Sequence, residues 1–144
     1  MVKKADKNDL LTLARLAVIM WNKNTVADLE KEFSCAVDSE NSQCFIKYVD
    51  NKPIGFAMCQ LRHDYVEGTN SSPVGYLEGI FILEEYRHKG YAKQLLAECE
   101  KWAFLKGCKE FASDCEIDNK ESLRFHMAVG FNEVGRIICF TKKL

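Results

Sequence analysis

The segment from Tyr76 to Trp102 constrains the fold more than any other part of the chain. It opens with Tyr76 to Leu83, a run of bulky apolar residues that suits a buried strand and is too short for a stable helix of its own. From Tyr91 the apolar spacing becomes helical. Tyr91, Ala92, Leu95, Leu96, Cys99, Trp102 and Ala103 share one face, while Lys93, Gln94, Glu98 and Lys101 face water. Between strand and helix lies the run from Arg87 through His88, Lys89, Gly90 and Tyr91 to Ala92. Such a loop turns several backbone N–H groups toward one point at the positive end of a helix, which makes an anion site suited to phosphate. Gly90 lets the anion approach, Ala92 leaves the space open, and Arg87 and Lys89 add charge. Neither the Gly-Lys-Ser/Thr ending of a Walker loop nor the three-glycine dinucleotide fingerprint is present. The competing reading is an ordinary glycine turn with basic residues on its wet side.

A chain of 144 residues fits one domain, expected to span 1–144, and can bury a core without staples. A net charge of −1 gives no electrostatic footprint for nucleic acid or for an anionic membrane, so the expected partner is a small molecule. No apolar h-region follows the basic start and no run is long enough to span a bilayer, a pattern expected of a cytoplasmic protein. The cysteines, at Cys35, Cys44, Cys59, Cys99, Cys108, Cys115 and Cys139, are odd in number and include no C-x-x-C pair. They read as reduced apolar fillers rather than as disulfides or metal ligands, and no metal is expected.

In chain order, Val2 to Ala5 reads as a short strand, and Asp6 or Asn8 caps a helix whose apolar face runs Leu10, Leu13, Ala14, Ala17, Val18 and Trp21. Thr25 with Asp28 is a capping-box variant that opens a second helix through Leu29, Phe33 and Val37. Cys44 to Val49 and Ile54 to Leu61 form a hairpin turned at Asp50 to Pro53. The polar stretch from Arg62 to Pro73 is a long loop of the kind that carries function. After the central helix, stopped by Gly107, a short strand covers Glu110 to Asp114. Asp118 or Asn119 caps a helix over Lys120 to Val129, with Leu123, Met127 and Ala128 as its inner face and Gly130 as its stop. Phe131 to Thr141 reads as one long final strand. An antiparallel hairpin followed by alternating strands and helices implies an α/β sheet of mixed, mostly antiparallel direction.

R-x-x-G-x-A after an apolar strand resembles the acyl-CoA pyrophosphate loop of the GNAT N-acetyltransferases, and the whole order of elements is similar to that fold. Asn119, Ser122 and the run from Phe125 to Phe131 resemble the second half of that superfamily. Arg62 to Gly68, Ser71 to Pro73, Leu77 to Phe81, Gly107-Cys108 and Ala112 to Asp114 resemble the bacterial aminoglycoside 6′-N-acetyltransferases. The resemblance implies an acetyl-CoA-dependent enzyme that acetylates the 6′-amino group of aminoglycosides and gives resistance to them. It implies that the edge at Ile80, Phe81 and Ile82 holds the pantetheine. Arg87, His88, Lys89, Gly90, Tyr91, Ala92 and Lys93 would then surround the pyrophosphate, with Asn119 near the CoA arm. Trp21, Tyr65, Glu78 and Asp114 fall where the subfamily contacts its drug. His126 stands where many relatives place a tyrosine near the departing thiolate, and Gly135 stands where some place a substrate-binding carboxylate.

Acetyl transfer needs a polarised carbonyl, a neutral amine in reach and routes for two protons. Backbone N–H groups of Gly79 to Ile82 can supply the first requirement, and either Glu78 or Asp114 can take the ammonium proton. Each also has a plain structural reading, Glu78 as an ion-pair partner and Asp114 as a strand-end cap. Trp21 reads equally as core. His63 and His126 are relay candidates. A Cys115 nucleophile paired with His126 is the disfavoured alternative to direct attack. The carboxylates Asp64, Glu67, Glu78, Asp114, Glu116 and Asp118 suit a polycationic substrate. The competing functions are acetylation of a polyamine, protein N-terminus or lysine, and a non-catalytic acyl-CoA-binding module. The apolar end at Ile137, Ile138, Cys139 and Phe140 suggests a sheet edge covered in a homodimer, in which Tyr65 could reach the neighbour's site.

Overall fold

In a computed structural model that describes residues 1–144, strands β1 (Val2–Lys4), β2 (Ser42–Val49), β3 (Lys52–Arg62), β4 (Val74–Ile82) and β5 (Phe111–Ser113) form one sheet in that order. Strands β1 to β4 are antiparallel neighbours and β5 runs parallel to β4, so the sheet is mixed and mostly antiparallel, as expected. Asp50 and Asn51 turn β2 into β3 with φ of 47° and 63°, the left-handed pair that a tight hairpin with right-handed strand twist demands.

Helices α1 (Leu10–Met20) and α2 (Val26–Asp38) cover one face of the sheet. Thr25 caps α2 by accepting from the Asp28 N–H at 3.1 Å, and Trp21 closes α1 through its N–H to the Ala17 carbonyl. Helix α3 (Tyr91–Leu105) covers the other face, burying Leu95, Leu96, Cys99 and Ala103. Each such leucine contributes about 1.5–3 kcal/mol of apolar burial. Gly107, at φ 92°, ends this helix in the left-handed conformation. Helix α4 (Lys120–Ala128) starts at Asn119, whose Oδ1 accepts from the Ser122 N–H at 3.1 Å.

Three expectations are corrected. The inner face of α4 is Leu123, Phe125 and Val129, while Met127 and Ala128 are exposed. Phe125 and Val129 are bulkier and reach the core alongside Phe131. The final strand does not form: residues 131–144 have no regular structure, and Ile137, Ile138 and Phe140 are 80%, 80% and 88% exposed. Val134 lies against Gly68 in the loop after β3, where a glycine Cβ would come within 2.7 Å of it, and Glu67 Cγ lies 3.7 Å from a Cβ built at Gly135. The loop therefore covers the start of this arm and leaves its apolar end uncovered. The cysteine expectation holds for Cys44, Cys59, Cys99 and Cys108, which are free and buried, but Cys35, Cys115 and Cys139 are exposed.

Candidate active site

The site begins at an irregularity in β4. Met58 pairs with Gly79 and Cys59 with Leu77, so Glu78 is an extra residue in β4 with no partner in β3. Such a bulge bends a strand and re-aims its side chains. Strand β5 pairs with β4 only at Gly75, Tyr76 and Leu77. Beyond Leu77 the two strands part, and Gly79 to Ile82 are paired on the β3 side alone. Because the Leu83 N–H bonds to the Ile54 carbonyl at 2.8 Å, the period-two alternation turns the backbone groups of Ile80 and Ile82 away from β3 into the opening. The Ile82 carbonyl takes Arg87 Nε at 2.9 Å, while Ile80 keeps both its groups free.

The loop expected to cradle an anion lies at the end of this edge. Gly90 has φ 82°, a Cβ there would meet nothing within 4 Å, and no side chain caps α3. The Gly90 carbonyl accepts the Gln94 N–H at 3.2 Å, which leaves the N–H groups of Tyr91, Ala92 and Lys93 without protein partners. A pyrophosphate fits this donor set. His88, at φ 61°, Lys89 and Lys93 are exposed around it. Arg87 is less available than its charge suggested. Its guanidinium packs 5.6 Å from the Phe81 ring centroid and reaches Glu121 at 3.7 Å, tying the loop to β4 and α4. Lys47, missed in the sequence, is only 5% exposed, and its ammonium lies 4.9 Å from the Tyr91 ring centroid beneath the first turn of α3. Asn119 Oδ1 is engaged in capping α4.

On the α1/α2 face, β3, β4 and the end of β5 bring the carboxylates together with partners that the sequence did not reveal. Glu78 Oε1 accepts from Gln60 Nε2 at 2.6 Å and from Arg62 Nε and Nη2 at 3.1 and 2.9 Å. The Arg62 guanidinium also stacks 3.4 Å from the centroid of Tyr76, whose hydroxyl donates to Asp114 Oδ2. Burial, followed by that bond to Asp114, pushes the Tyr76 phenol well above its ordinary pKa, so it stays a donor. Two strand registers could have signalled this cluster, since Gln60 and Arg62 alternate on the strand that pairs with Tyr76 and Val74.

Trp21 packs into the core and also turns a ring edge toward β4. It packs 5.8 Å from Phe56 and 6.5 Å from Phe33, and its ring edge covers Gly79, where a Cβ would lie 2.6 Å from Cζ2. Tyr65 stands apart: it is 80% exposed and donates to Glu67 at 2.9 Å. It lines an open cleft of about 370 Å³ with His63, Asp64, Thr69, Asn70 and Ser71. His126 Nδ1 lies 2.7 Å from the Ser122 carbonyl and must donate to it, so in the neutral ring Nε2 accepts from Ser113 Oγ at 2.8 Å. Both of its nitrogens are thus engaged, and neither pairs with exposed Cys115. Burial raises the Cys44 thiol to about 12, far from a reactive thiolate.

The sheet thus opens between β4 and β5 beyond Leu77, an uncapped helix start lies beside the opening, and Glu78 and Asp114 are joined through Arg62 and Tyr76. The family model described as "Acetyltransferase (GNAT) family" matches residues 10–131, and the chain belongs to that family. Among curated relatives, "Aminoglycoside N(6')-acetyltransferase type 1" of Salmonella typhimurium is 45% identical over 107 residues, 74% of each chain. The protein of the same name from Serratia marcescens is 36% identical over 145 residues, covering 100% of this chain and 99% of its own. A solved structure, AAC(6')-Iy in complex with the bisubstrate analog CoA-S-monomethyl-acetylneamine, superposes with a TM-score of 0.96 at 36% identity, covering 100% of this chain and 98% of that one. AAC(6')-Ih from Acinetobacter baumannii superposes with a TM-score of 0.92 at 34% identity, covering 100% and 98%.

Proposed function

We infer that this chain is an acetyl-CoA-dependent aminoglycoside 6′-N-acetyltransferase, one domain over residues 1–144, whose activity confers aminoglycoside resistance. The observation that carries the reading is the parting of β4 from β5 after Leu77, which leaves the carboxylate of Glu78 and the free backbone groups of Ile80 two residues apart on one strand. The relatives named for this activity support it.

Acetyl-CoA would lie along the opened edge of Ile80, Phe81 and Ile82. Its pyrophosphate would meet the N–H groups from Tyr91 to Lys93, with His88 and Lys89 adding charge and Gly90 leaving the approach clear. Asn119 and His126 line the α4 side. A backbone N–H of this edge polarises the thioester carbonyl, the neutral 6′-amine attacks its carbon, and the C–S bond breaks as the attacking nitrogen gives up a proton and the thiolate takes one up. The ammonium proton leaves beforehand to a carboxylate, Glu78 or Asp114, directly or through water. Trp21 forms a wall for the sugar ring beside Gly79.

We propose further that the working form is a cytoplasmic homodimer. Phe104 and Leu105, at the end of α3, are 76% and 75% exposed, and the arm from Ile137 to Phe140 is uncovered. Strand β5 is an open edge. A second copy covers these apolar surfaces by two-fold contact, and Tyr65 is then free to line the neighbouring groove. Sedimentation at micromolar concentration tests assembly, and a clean monomer of 16.5 kDa rules it out. The function is tested with purified protein and acetyl-CoA against kanamycin-like, polyamine and peptide amines. Thiol release with the aminoglycoside supports the reading, acetylation of peptides or polyamines alone overturns it, and CoA binding without release to any amine indicates a binding module.

A further inference from the structure

Glu78 and Asp114 are not equivalent carboxylates. Glu78 Oε1 accepts three hydrogen bonds and Oε2 a further one, from Arg62 Nη2 at 3.1 Å. A carboxylate offers about four acceptor sites. Glu78 is therefore anchored mainly through Oε1 and held beside a compensating cation. Asp114 has one bond, from the Tyr76 hydroxyl to Oδ2, and its Oδ1 has no protein partner. It lies just beyond the last residue of β5, in a segment with no regular structure, and is exposed. Without Tyr76 nothing in the chain holds that side chain in one rotamer. Tyr76 itself is fixed: it is 7% exposed, and its ring carries the Arg62 guanidinium at 3.4 Å.

We propose that Tyr76 is a positioning residue for acetyl transfer: its hydroxyl fixes Asp114 through Oδ2 so that Oδ1 is held ready for the substrate ammonium, while its ring, braced on Arg62, ties that aspartate to the Glu78 anchor. This rests on the reading of Asp114 as part of the acceptor site. The gain is orientation, since a carboxylate fixed before the amine arrives need not be ordered in the transition state. The raised pKa of Tyr76 keeps its O–H protonated as a donor in the folded protein.

Tyr76→Phe removes the hydroxyl and keeps the ring. Its kcat with a kanamycin-like substrate should fall about tenfold, as expected for loss of a transition-state interaction. The acetyl-CoA KM and the thermal midpoint should stay near wild type, which a merely structural role would not predict. In an Asp114→Asn background the same change should add nothing, because residues acting through one another are not additive. Wild-type kcat in Tyr76→Phe alongside an impaired Asp114→Asn overturns this inference and leaves the acceptor-site reading standing. An undiminished Tyr76→Phe loss on top of Asp114→Asn also overturns it, since Tyr76 would then act independently. Wild-type kinetics in Asp114→Asn overturns both readings.

Discussion

The two halves of the groove are made of different material. The half proposed for acetyl-CoA is backbone: the free groups of Ile80 on an unpaired edge and the uncapped N–H groups of α3 beyond a glycine. The half proposed for the amine is side chain: Gln60, Arg62, Tyr76, Glu78 and Asp114 in one bonded cluster. Backbone donors are present whatever the neighbouring side chains are, so the first half fails only when something fills or repels at the anion site. The second half depends on each member separately, because removing one partner leaves another unpaired.

The largest expected effect is in the backbone half. Gly90→Glu places a carboxylate where the pyrophosphate is expected, and like charges about 5 Å apart at an effective dielectric near 20 repel by about 3 kcal/mol, roughly a 200-fold loss of acetyl-CoA affinity. Gly90→Ala meets nothing within 4 Å, so only the φ of 82° is strained. It should cost about 1 kcal/mol of stability and weaken CoA binding far less than Gly90→Glu does. Calorimetric titration of both variants checks the pair, and equal CoA affinity in Gly90→Glu and wild type would mean the anion binds elsewhere.

In the side-chain half, Asp114→Asn removes a proton acceptor and should lower kcat about 100-fold, within the usual range for general base catalysis, with CoA binding intact. Glu78→Gln acts differently. It leaves the Arg62 guanidinium without its carboxylate, facing a cationic substrate, and should raise the drug KM about tenfold, or about 1.4 kcal/mol. Steady-state kinetics separates the two, and a kcat effect confined to Glu78→Gln would reverse the roles. His126→Ala should be smaller still, about threefold in kcat, because both ring nitrogens serve Ser122 and Ser113. Abolished chemistry with both ligands bound would make His126 the proton donor to the thiolate.

The same division governs what the sequence could reveal. A strand, a glycine and a helix start imply free N–H groups without any knowledge of neighbours, so the open N–H groups at the start of α3 and its buried face were legible. Glu78 was legible as a carboxylate inside an apolar strand and Asp114 as one at a strand end, but their partners depended on a one-residue bulge that no local pattern announces. The final segment shows the same limit. Ile137, Ile138 and Phe140 have strand propensity, yet a strand exists only where another strand pairs with it, and none does here. In α4, hydrophobicity alone favoured Met127, whereas packing against Phe131 selected Phe125 and Val129.

The smallest expected effect reads the coupling within the side-chain half by stability rather than by rate. An ordinary tyrosine ionises near pH 10. Burial and the bond to Asp114 raise Tyr76 above that value in the folded state. Its contribution is therefore fully present below the unfolded pKa and is lost as pH rises through the folded one, because the unfolded chain then binds fewer protons. Wild-type protein should lose stability more steeply above about pH 10 than Tyr76→Phe, which has no such proton to release. Below that pH the two denaturation midpoints should lie close together and run parallel, because Asp114 is exposed and water replaces the lost hydroxyl there. Urea titrations across the alkaline range measure both quantities. Identical alkaline slopes in the two proteins would mean that Tyr76 ionises as freely in the fold as out of it, and that the contact with Asp114 does not bind the two residues into one unit.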